Sequence, residues 1–280
     1  MQTGQPSQTA LGAAAHRAVH QTLEGGVIFA DPFALQILSD DTRARLPDMA
    51  NDPAHLPMRL FIAARSRFSE DTMAACVARG VRQIVILGAG LDTFSLRNPH
   101  AGEGARVFEV DYPATQAWKR ERLAQAGLAL PASLTFAPVD FERQGLAEGL
   151  AAAGFRADQP AYFQWLGVLP YLTREAIVTT LDYIACVAGS EVVFDYGEPF
   201  ENLPAAIRAN VAAIAARAAS IGEPWLSLFN PAEMAELLHA RHFAGFEDVT
   251  RAELAHRYYG VLGEGLDAGP GPHVVRARSK

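Results

Sequence analysis

The chain has 280 residues, of which 50% are hydrophobic and 20% charged, the balance of a soluble α/β protein with a large core. Its formal net charge of −7 and its isoelectric point near 5.6 argue against a nucleic-acid-binding surface, and no cluster of Lys or Arg contradicts this. No apolar stretch approaches the ~20 residues that a membrane span needs, and the first residues lack the basic and apolar segments of a secretory signal.

The first part of the chain, residues 1–79, is predicted to be a helical cap. Residues 10–24 are rich in alanine and favour a helix. The pair Asp31-Pro32 predicts the start of a second helical segment, because Asp is a frequent N-cap and Pro suits the first helical position. A third helix is expected at 57–79, where the glycine that follows ends it.

Residues 80–280 alternate between strand and helix, which predicts a mostly parallel sheet with right-handed crossovers. The predicted strands lie at 83–87, 106–110, 134–139, 162–168 and 191–195. The predicted helices lie at 114–126, 143–153, 173–188 and 203–220. Two further strands, at 246–251 and 273–278, lack a crossover helix of the usual kind between them and are expected to form an antiparallel hairpin at one edge. Because no repeat or linker interrupts the pattern, residues 1–280 are predicted to form one domain.

The first strand runs straight into a turn that contains two glycines. Residues 84–87 are an unbroken apolar run, which is typical of a central parallel strand. Gly88 and Gly90 let the backbone approach a nucleotide-like cofactor closely. A dinucleotide fingerprint has another glycine where this chain has Thr93, preceded by Asp92. A carboxylate there repels a pyrophosphate but suits an ammonium group or ribose hydroxyls, so the pattern favours S-adenosylmethionine over NAD.

Two acids stand where the next two strands end. Ligands of such sheets bind outside the carboxyl ends of the strands, so Asp111 is expected to accept the ribose hydroxyls. Asp140 closes the following strand at the same height and is a candidate for the adenine amino group. Each acid also has a purely structural alternative, since Asp111 could cap the turn at Tyr112 and Asp140 could cap the next segment.

The helix before the first strand offers a partner for the carboxylate of an amino-acid cofactor. Either Arg65 or Arg67 could hold a carboxylate bidentately. At a spacing of two residues they cannot share a helix face, so one should face the site and the other the solvent. The spacing alone does not choose between them.

No metal or nucleophile chemistry is indicated elsewhere. His239 and His242 have no matching ligands for a zinc site. Cys76 and Cys186 are far apart, so two reduced thiols in a cytoplasmic protein are expected. The chain has neither a Gly-x-Ser-x-Gly elbow nor a Walker loop, which leaves hydrolase and NTPase functions without support.

Several short motifs occur together along the chain. They are Arg-Ala-x-His (17–20), Asp-Pro-Phe-Ala (31–34), Ala-Arg-Ser-Arg-Phe (64–68), Leu-Gly-Ala-Gly-Leu-Asp-Thr (87–93), Phe-Glu-Val-Asp-Tyr-Pro (108–113), Trp-Leu-Gly-Val-Leu-Pro-Tyr-Leu-Thr (165–173) and Gly-Glu-Pro-Trp (222–225). Through them, residues 7–278 resemble the leucine carboxyl methyltransferase family, specifically its bacterial members described as polyketide-type O-methyltransferases. The resemblance implies a Rossmann-like seven-stranded methyltransferase sheet, mostly parallel with an antiparallel C-terminal strand. It also implies S-adenosyl-L-methionine as cofactor and an oxygen of a small molecule or peptide as methyl acceptor.

The resemblance further implies a set of cofactor-binding residues. Arg65 would hold the methionine carboxylate, the glycine turn would line the methionine part, and Asp111 would bind the ribose. The full expected set is Arg65, Gly88, Ala89, Gly90, Asp111, Tyr112, Asp140 and Phe141, with the last two at the adenine. Trp165 or Tyr171 could line a methyl-transfer channel, although both could equally belong to the core.

One departure from the family pattern concerns the cofactor amine. Many members have a Glu-Gly pair where this chain has Leu166-Gly167, and that glutamate lies near the amine. The Gly88 carbonyl and Asp92 are the remaining candidates for its partner. No residue stands out as a catalytic base, and the sequence does not indicate an oligomeric state.

Two rival functions share the same sheet. An NAD(P)-dependent oxidoreductase is disfavoured by Thr93 and by the absence of a Tyr-x-x-x-Lys pair. A binding protein that has lost catalysis would show a damaged glycine turn or lack Asp111, and neither is the case. No nucleic acid, membrane or metal ion is expected as a partner.

Overall fold

The computed structural model describes residues 7–139, 145–266 and 269–280. Within them, one sheet contains the strands β1 (Gln83–Leu87), β2 (Arg106–Asp111), β3 (Leu134–Pro138), β4 (Ala161–Trp165), β5 (Glu191–Tyr196), β6 (Gly245–Val249) and β7 (His273–Arg278). Their order is β3-β2-β1-β4-β5-β7-β6. Strands β1 to β5 pair in parallel, and β7 lies antiparallel between β5 and β6. The predicted Rossmann-like methyltransferase sheet is confirmed.

Helices surround this sheet and precede it. Those of the described residues are α1 (Gln8–Leu23), α2 (Asp40–Ala44), α3 (Leu46–Asn51), α4 (Leu56–Ala78), α5 (Phe94–Arg97), α6 (Pro113–Gln125), α7 (Leu146–Ala152), α8 (Arg174–Cys186), α9 (Ala205–Ser220), α10 (Pro231–Ala240) and α11 (Arg251–Tyr258). Side-chain caps fix several of their starts. Ser7 accepts from the amide of Ala10 at α1, and Thr173 from that of Ala176 at α8.

The two faces of the sheet carry separate apolar clusters, because successive residues of a strand point to opposite sides. On β1, Val85 and Leu87 pack towards the side covered by α7, α8 and α10. Ile84 and Ile86 pack towards the side covered by α4 and α11. Since both faces are covered, β1 is buried along its whole length, as its unbroken apolar run predicts.

The N-terminal helical segment docks on the edge of this body. Ala14, Ala18 and Val19 of α1 form a third apolar cluster with Leu91, which follows the glycine turn, and with Leu123 of α6. The alanine-rich sequence of α1 lets it lie close to its neighbours. That residues 1–280 form a single domain stays a prediction.

The structure corrects the second predicted helix. Residues 32–37 form consecutive turns rather than an α-helix. The Asp31 carboxylate accepts from the Phe33 amide at 3.2 Å and also binds Arg17 and Thr93. Its tertiary contacts therefore decide the local conformation, and the helix-start pattern does not.

Two strand boundaries also differ from the prediction. β4 ends at Trp165 rather than at residue 168, because Gly167 adopts a φ of +71° and turns the chain away. The last two strands do pair antiparallel, but the helix α11 lies between them, and β6 runs in the direction of β1 to β5. Arg251 was expected in that strand; it begins α11 instead, since Thr250 and Glu253 form a capping box.

Among the residues that the structure describes, no helix is both long enough and apolar enough to cross a membrane.

Candidate active site

The glycine turn after β1 has a backbone that only glycine fits. Gly88 and Gly90 have φ angles of +65° and +43°. A Cβ atom on Gly88 would lie 2.5 Å from a methyl group of Val168, and one on Gly90 would lie 3.1 Å from the Cβ of Ala10. The amide of Ala89 donates to the Val110 carbonyl at 3.1 Å, which fixes the turn against β2.

Asp111 lies at the end of β2, directly beside this turn. Its Oδ2 accepts from the Gly90 amide at 2.6 Å, and its Oδ1 accepts from the Tyr112 amide at 2.7 Å. Burial raises the pKa of Asp111, although the two amide bonds oppose the shift. Asp111 therefore does cap the turn, and each carboxylate oxygen still has capacity for a second hydrogen bond.

Asp92 and Thr93 serve the turn itself. Asp92 Oδ1 accepts from the Phe94 amide at 2.7 Å, and Oδ2 accepts from Gln164 Nε2 at 3.0 Å. Thr93 donates its hydroxyl to Asp31 Oδ1 at 2.6 Å. The residue that replaces the dinucleotide glycine thus ties the turn to the N-terminal segment.

Arg65 reaches the carboxyl end of β4 and β5. Its Nη1 donates to Asp195 Oδ2 at 2.6 Å, and Asp195 Oδ1 accepts from the Gly167 amide at 2.5 Å. A Cβ on Gly167 would lie 3.0 Å from Arg65 Nη2, so the glycine makes room for the guanidinium. Only 12% of the Arg65 side chain is exposed, whereas Arg67 is 50% exposed and pairs with Asp71. Arg65 is the one that faces the sheet edge.

Asp195 is a site residue that the sequence analysis missed. It stands within the apolar run of β5, and a buried carboxylate in such a strand requires a positively charged or hydrogen-bonding partner. The carboxylate within an apolar strand is the sequence feature that could have identified Asp195 as a site residue. The partner itself lies on α4, far away in the sequence, and no local pattern identifies it.

The start of α1 and the Gly-Glu-Pro-Trp motif form a wall next to the glycine turn. Glu223 accepts from the backbone amides of Gln8 and Thr9 at 2.9 and 3.1 Å, so its negative charge lies at the N-terminus of α1. The Leu226 amide donates to the carbonyl of Pro170 at 2.6 Å. These bonds join three distant segments around one edge of the sheet.

Aromatic side chains line this wall. The ring of Trp225 lies 6.1 Å from that of Phe200. Burial raises the pKa of Tyr171, whose hydroxyl interacts with Thr9 and Trp225. Trp165, by contrast, is 2% exposed and packs edge-on against a phenylalanine of β5, so it belongs to the core and not to a channel.

One buried N–H group at this edge, Arg65 Nε, has no hydrogen-bond partner among the residues that the structure describes. Buried donors in proteins are nearly always paired, so this nitrogen indicates space for a ligand that carries an acceptor. A nucleoside with an amino-acid tail fits the arrangement, because its carboxylate can accept from a guanidinium and its ribose from a carboxylate beside a glycine turn.

The structure describes six of the eight expected cofactor-binding residues. Asp140 and Phe141 lie outside the described residues. Arg65, Gly88, Ala89, Gly90, Asp111 and Tyr112 are gathered along the carboxyl ends of β1, β2 and β4, and their roles towards a cofactor stay predictions. Within residues 7–139, 145–266 and 269–280, no group of His, Cys, Asp and Glu side chains could hold a metal ion.

The chain is similar to a set of known methyltransferases. The model of the leucine carboxyl methyltransferase family matches residues 10–185. "Putative S-adenosyl-L-methionine-dependent methyltransferase YktD" of Bacillus subtilis strain 168 is 29% identical over 306 positions, which cover all of both chains. A protein of the same description from Frankia alni, FRAAL3718, is 33% identical over 68% of each chain.

Solved structures show the same fold. The crystal structure of a "putative methyltransferase" from Thermobifida fusca YX has a TM-score of 0.62 with 18% identity and covers 100% of this chain and 97% of its own. A DUF574 family protein from Streptomyces avermitilis has a TM-score of 0.61 with 16% identity, over 96% and 97% of the two chains. Fold and relatives together define the class: a Rossmann-like methyltransferase that depends on S-adenosyl-L-methionine.

Within this class, the chain belongs to the leucine carboxyl methyltransferase family, whose model matches well over half of it.

Proposed function

We propose that the protein transfers the methyl group of S-adenosyl-L-methionine to an oxygen atom, a carboxylate or a hydroxyl, of a small molecule or peptide. The products are S-adenosylhomocysteine and a methyl ester or methyl ether. The proposal includes a cytoplasmic setting, which the two free thiols of Cys76 and Cys186 support. It includes neither nucleic acid nor membrane as a partner.

The observation that carries the proposal is the position of Arg65. Its guanidinium lies at the same sheet edge as the glycine turn and Asp111, and its buried Nε has no partner among the described residues. A guanidinium in that state is suited to a carboxylate such as that of a methionine tail. Gly88, Ala89 and Gly90 would lie along the same tail, and Asp111 would accept the ribose hydroxyls.

The bound cofactor supplies an electrophilic methyl group on a sulfonium. The protein positions the two reactants. The glycine turn and Arg65 would orient the cofactor, and the wall formed by α1 and Trp225 would confine the methyl acceptor. Holding reacting atoms ~3 Å apart in line is the largest contribution that a protein makes to such a displacement. An acceptor carboxylate is already ionised at neutral pH and needs no base, whereas a hydroxyl must lose its proton.

Calorimetry on the purified protein tests the cofactor. S-adenosylmethionine and S-adenosylhomocysteine should both bind, and NADH should not, because the turn has Thr93 where a dinucleotide fingerprint has glycine and because the carboxylate of Asp92 before it repels a pyrophosphate. Binding of NADH alone would support the oxidoreductase instead. Failure of both S-adenosyl compounds to bind at millimolar concentration would remove the proposal.

Labelled methyl transfer tests the acceptor atom. The protein is incubated with methyl-labelled S-adenosylmethionine and a fractionated metabolite extract, and the products are treated with alkali. A carboxylate acceptor gives a methyl ester, which releases labelled methanol, and a hydroxyl acceptor gives an ether, which resists. Mass spectrometry that finds the label on nitrogen, sulfur or carbon would contradict oxygen as the acceptor.

A further inference from the structure

The guanidinium of Arg65 is bound to the protein on one side only. Its Nη1 donates to Asp195 Oδ2 at 2.6 Å. Within the part of the chain that the structure describes, Nε and Nη2 make no hydrogen bond, and Nε is buried. Because a guanidinium is planar, Nε and Nη2 present their N–H groups side by side along one edge. That edge is available for a ligand group with two acceptor oxygens.

The same edge of a guanidinium binds carboxylates elsewhere in this protein. Nε and Nη2 of Arg156 donate to the two oxygens of Asp158 at 3.0 and 2.7 Å. Nε and Nη2 of Arg59, which lies on α4 as Arg65 does, donate to Glu24 at 2.9 and 2.7 Å. Arg65 differs because its carboxylate partner lies on Nη1. The edge that suits bidentate binding is therefore left for a ligand.

Asp195 is itself held in place. It lies on the face of β5 that is directed towards α4, the same face as Val193, because side chains alternate along a strand. Its Oδ1 accepts from the Gly167 amide at 2.5 Å, and only 7% of its side chain is exposed. Since one oxygen is bound to the backbone after β4, the other oxygen has a defined position for Arg65.

We propose that Asp195 positions Arg65 so that its Nε–Nη2 edge meets the carboxylate of S-adenosyl-L-methionine. The inference rests on the proposed function. Asp195 acts through Arg65 and does not touch the ligand carboxylate, since the two carboxylates lie on different sides of the guanidinium. A long side chain loses conformational freedom when it binds a ligand, and Asp195 removes that freedom from Arg65 beforehand. Asp195 also supplies the counter-charge that a mostly buried guanidinium needs.

The test uses three ligands that differ in their charged groups. S-adenosylhomocysteine has an ammonium and a carboxylate, its des-amino analogue has only the carboxylate, and its decarboxylated analogue has only the ammonium. Asp195→Asn places an N–H group against either Arg65 or the Gly167 amide, so the guanidinium is no longer held. In calorimetry, this variant should bind the first two ligands about tenfold to a hundredfold more weakly, the effect of losing a well-placed charged hydrogen bond. It should bind the decarboxylated analogue as the unchanged protein does.

The pattern across the three ligands separates positioning from other roles of Asp195. A loss confined to the two ligands that carry an ammonium would mean that Asp195 binds this group directly, and the positioning role would be wrong. Equal losses of all three ligands would reduce Asp195 to a structural residue. Tighter binding of the des-amino analogue would mean that Asp195 mainly repels the ligand carboxylate, which also overturns the inference.

Two further variants are controls. Glu191→Gln changes another buried carboxylate of β5, which binds Arg276 at the opposite end of the strand, and should leave all three affinities unchanged. Arg65→Ala combined with Asp195→Asn should bind S-adenosylhomocysteine no more weakly than Arg65→Ala alone, because a positioning residue has no effect once the residue that it positions is absent. An additional loss in the double variant would contradict the inference.

A crystal structure of the unchanged protein with S-adenosylhomocysteine covers the case in which Asp195→Asn does not fold. Asp195 should still accept from Nη1 of Arg65 while the ligand carboxylate lies on Nε and Nη2. A ligand carboxylate that displaces Asp195 from Arg65 would refute the inference. If neither S-adenosylmethionine nor S-adenosylhomocysteine binds the unchanged protein, the proposed function itself fails, whereas normal binding that Asp195→Asn leaves unaltered refutes only the role of Asp195.

Discussion

At the scale of single residues, the site depends on a few charged side chains that are buried with partial pairing. Arg65 has one nitrogen on Asp195 and another with no partner in the described residues. Asp111 has a backbone amide on each oxygen. Such groups are costly to bury, and each can be tested by a change that separates binding from folding.

Replacing Arg65→Ala should weaken S-adenosylmethionine by roughly 2 kcal/mol or more, the scale of a lost charge-assisted pair. Arg65→Lys should recover only part of this, because an ammonium group cannot present a planar fork. Arg67→Ala is the matched control and should be nearly silent, since Arg67 pairs with Asp71 at the surface. Calorimetry with adenosine, which has no carboxylate, should show no loss for Arg65→Ala. An equal loss with adenosine would mean that the change disturbs α4.

Replacing Asp111→Ala should weaken the cofactor by about 2–4 kcal/mol, because two charged hydrogen bonds to the ribose are lost. The structure adds a second effect: the amides of Gly90 and Tyr112 lose their acceptor, so the free energy of unfolding without ligand should fall by about 1–3 kcal/mol. Calorimetry and urea denaturation measure the two effects separately. A stability loss with unchanged affinity would leave Asp111 as a turn cap alone.

At the scale of elements, the N-terminal segment is fastened to the sheet by one buried carboxylate. Asp31 binds Arg17 of α1 at 3.0 Å and Thr93 after the glycine turn at 2.6 Å, and Arg17 also donates to the Leu91 carbonyl. The Arg-Ala-x-His and Asp-Pro-Phe-Ala motifs therefore attach the N-terminal segment to the sheet. His20 is the last residue of the first motif. Its Nε2 accepts hydrogen bonds from the backbone amides of Ile28 and Phe29.

Replacing Asp31→Ala should lower the free energy of unfolding by about 3–5 kcal/mol, because it leaves a mostly buried guanidinium without its counter-charge. Asp71→Ala, in the exposed pair with Arg67, should cost less than about 1 kcal/mol. Urea denaturation of both variants makes the comparison. Similar small effects in the two would show that Asp31 does not fasten the segment.

The elements that the sequence predicts well are those with a local cause. The bounds of β1 follow from its apolar run, and α4 ends where Gly80 takes a φ of +99°. The turns at 32–37 and the pairing of Arg65 with Asp195 were not predictable, because both depend on contacts between segments far apart in the chain. The glycine turn and Asp111 could be located because each comes at the end of a buried apolar run, the turn after β1 and the acid at the end of β2.

At the scale of the whole molecule, two buried histidines give the stability opposite dependences on pH. Burial lowers the pKa of His16 to about 4. Burial would also lower the pKa of His273, but the hydrogen bonds and charges of Asp248 and Glu198 outweigh it and raise the pKa. The His273 contribution is therefore complete below an ordinary histidine pKa and is lost as the pH rises through the folded value.

The contribution of His16 to the free energy of unfolding depends on pH in the opposite direction. Between the unfolded pKa of about 6.5 and the folded pKa of about 4, His16 is protonated in the unfolded chain but not in the folded protein. The free energy of unfolding should therefore fall by about 3 kcal/mol as the pH drops towards 4. His16→Asn removes this contribution. Urea denaturation across that pH range should show a steeper decline for the unchanged protein than for the variant. Parallel declines would mean that His16 titrates alike in both states.

The position of β7 inside the sheet also affects how the protein is made. β6 joins the sheet through β7, yet β7 follows β6 along the chain. A ribosome releases the N-terminal part first, so β6 emerges before the strand with which it must pair exists. Until then β5 presents an unpaired edge with the apolar Val192 and Phe194. Synthesis therefore includes an interval in which the open edge of β5 is a binding surface for a chaperone, and this interval ends when β7 pairs with both β5 and β6.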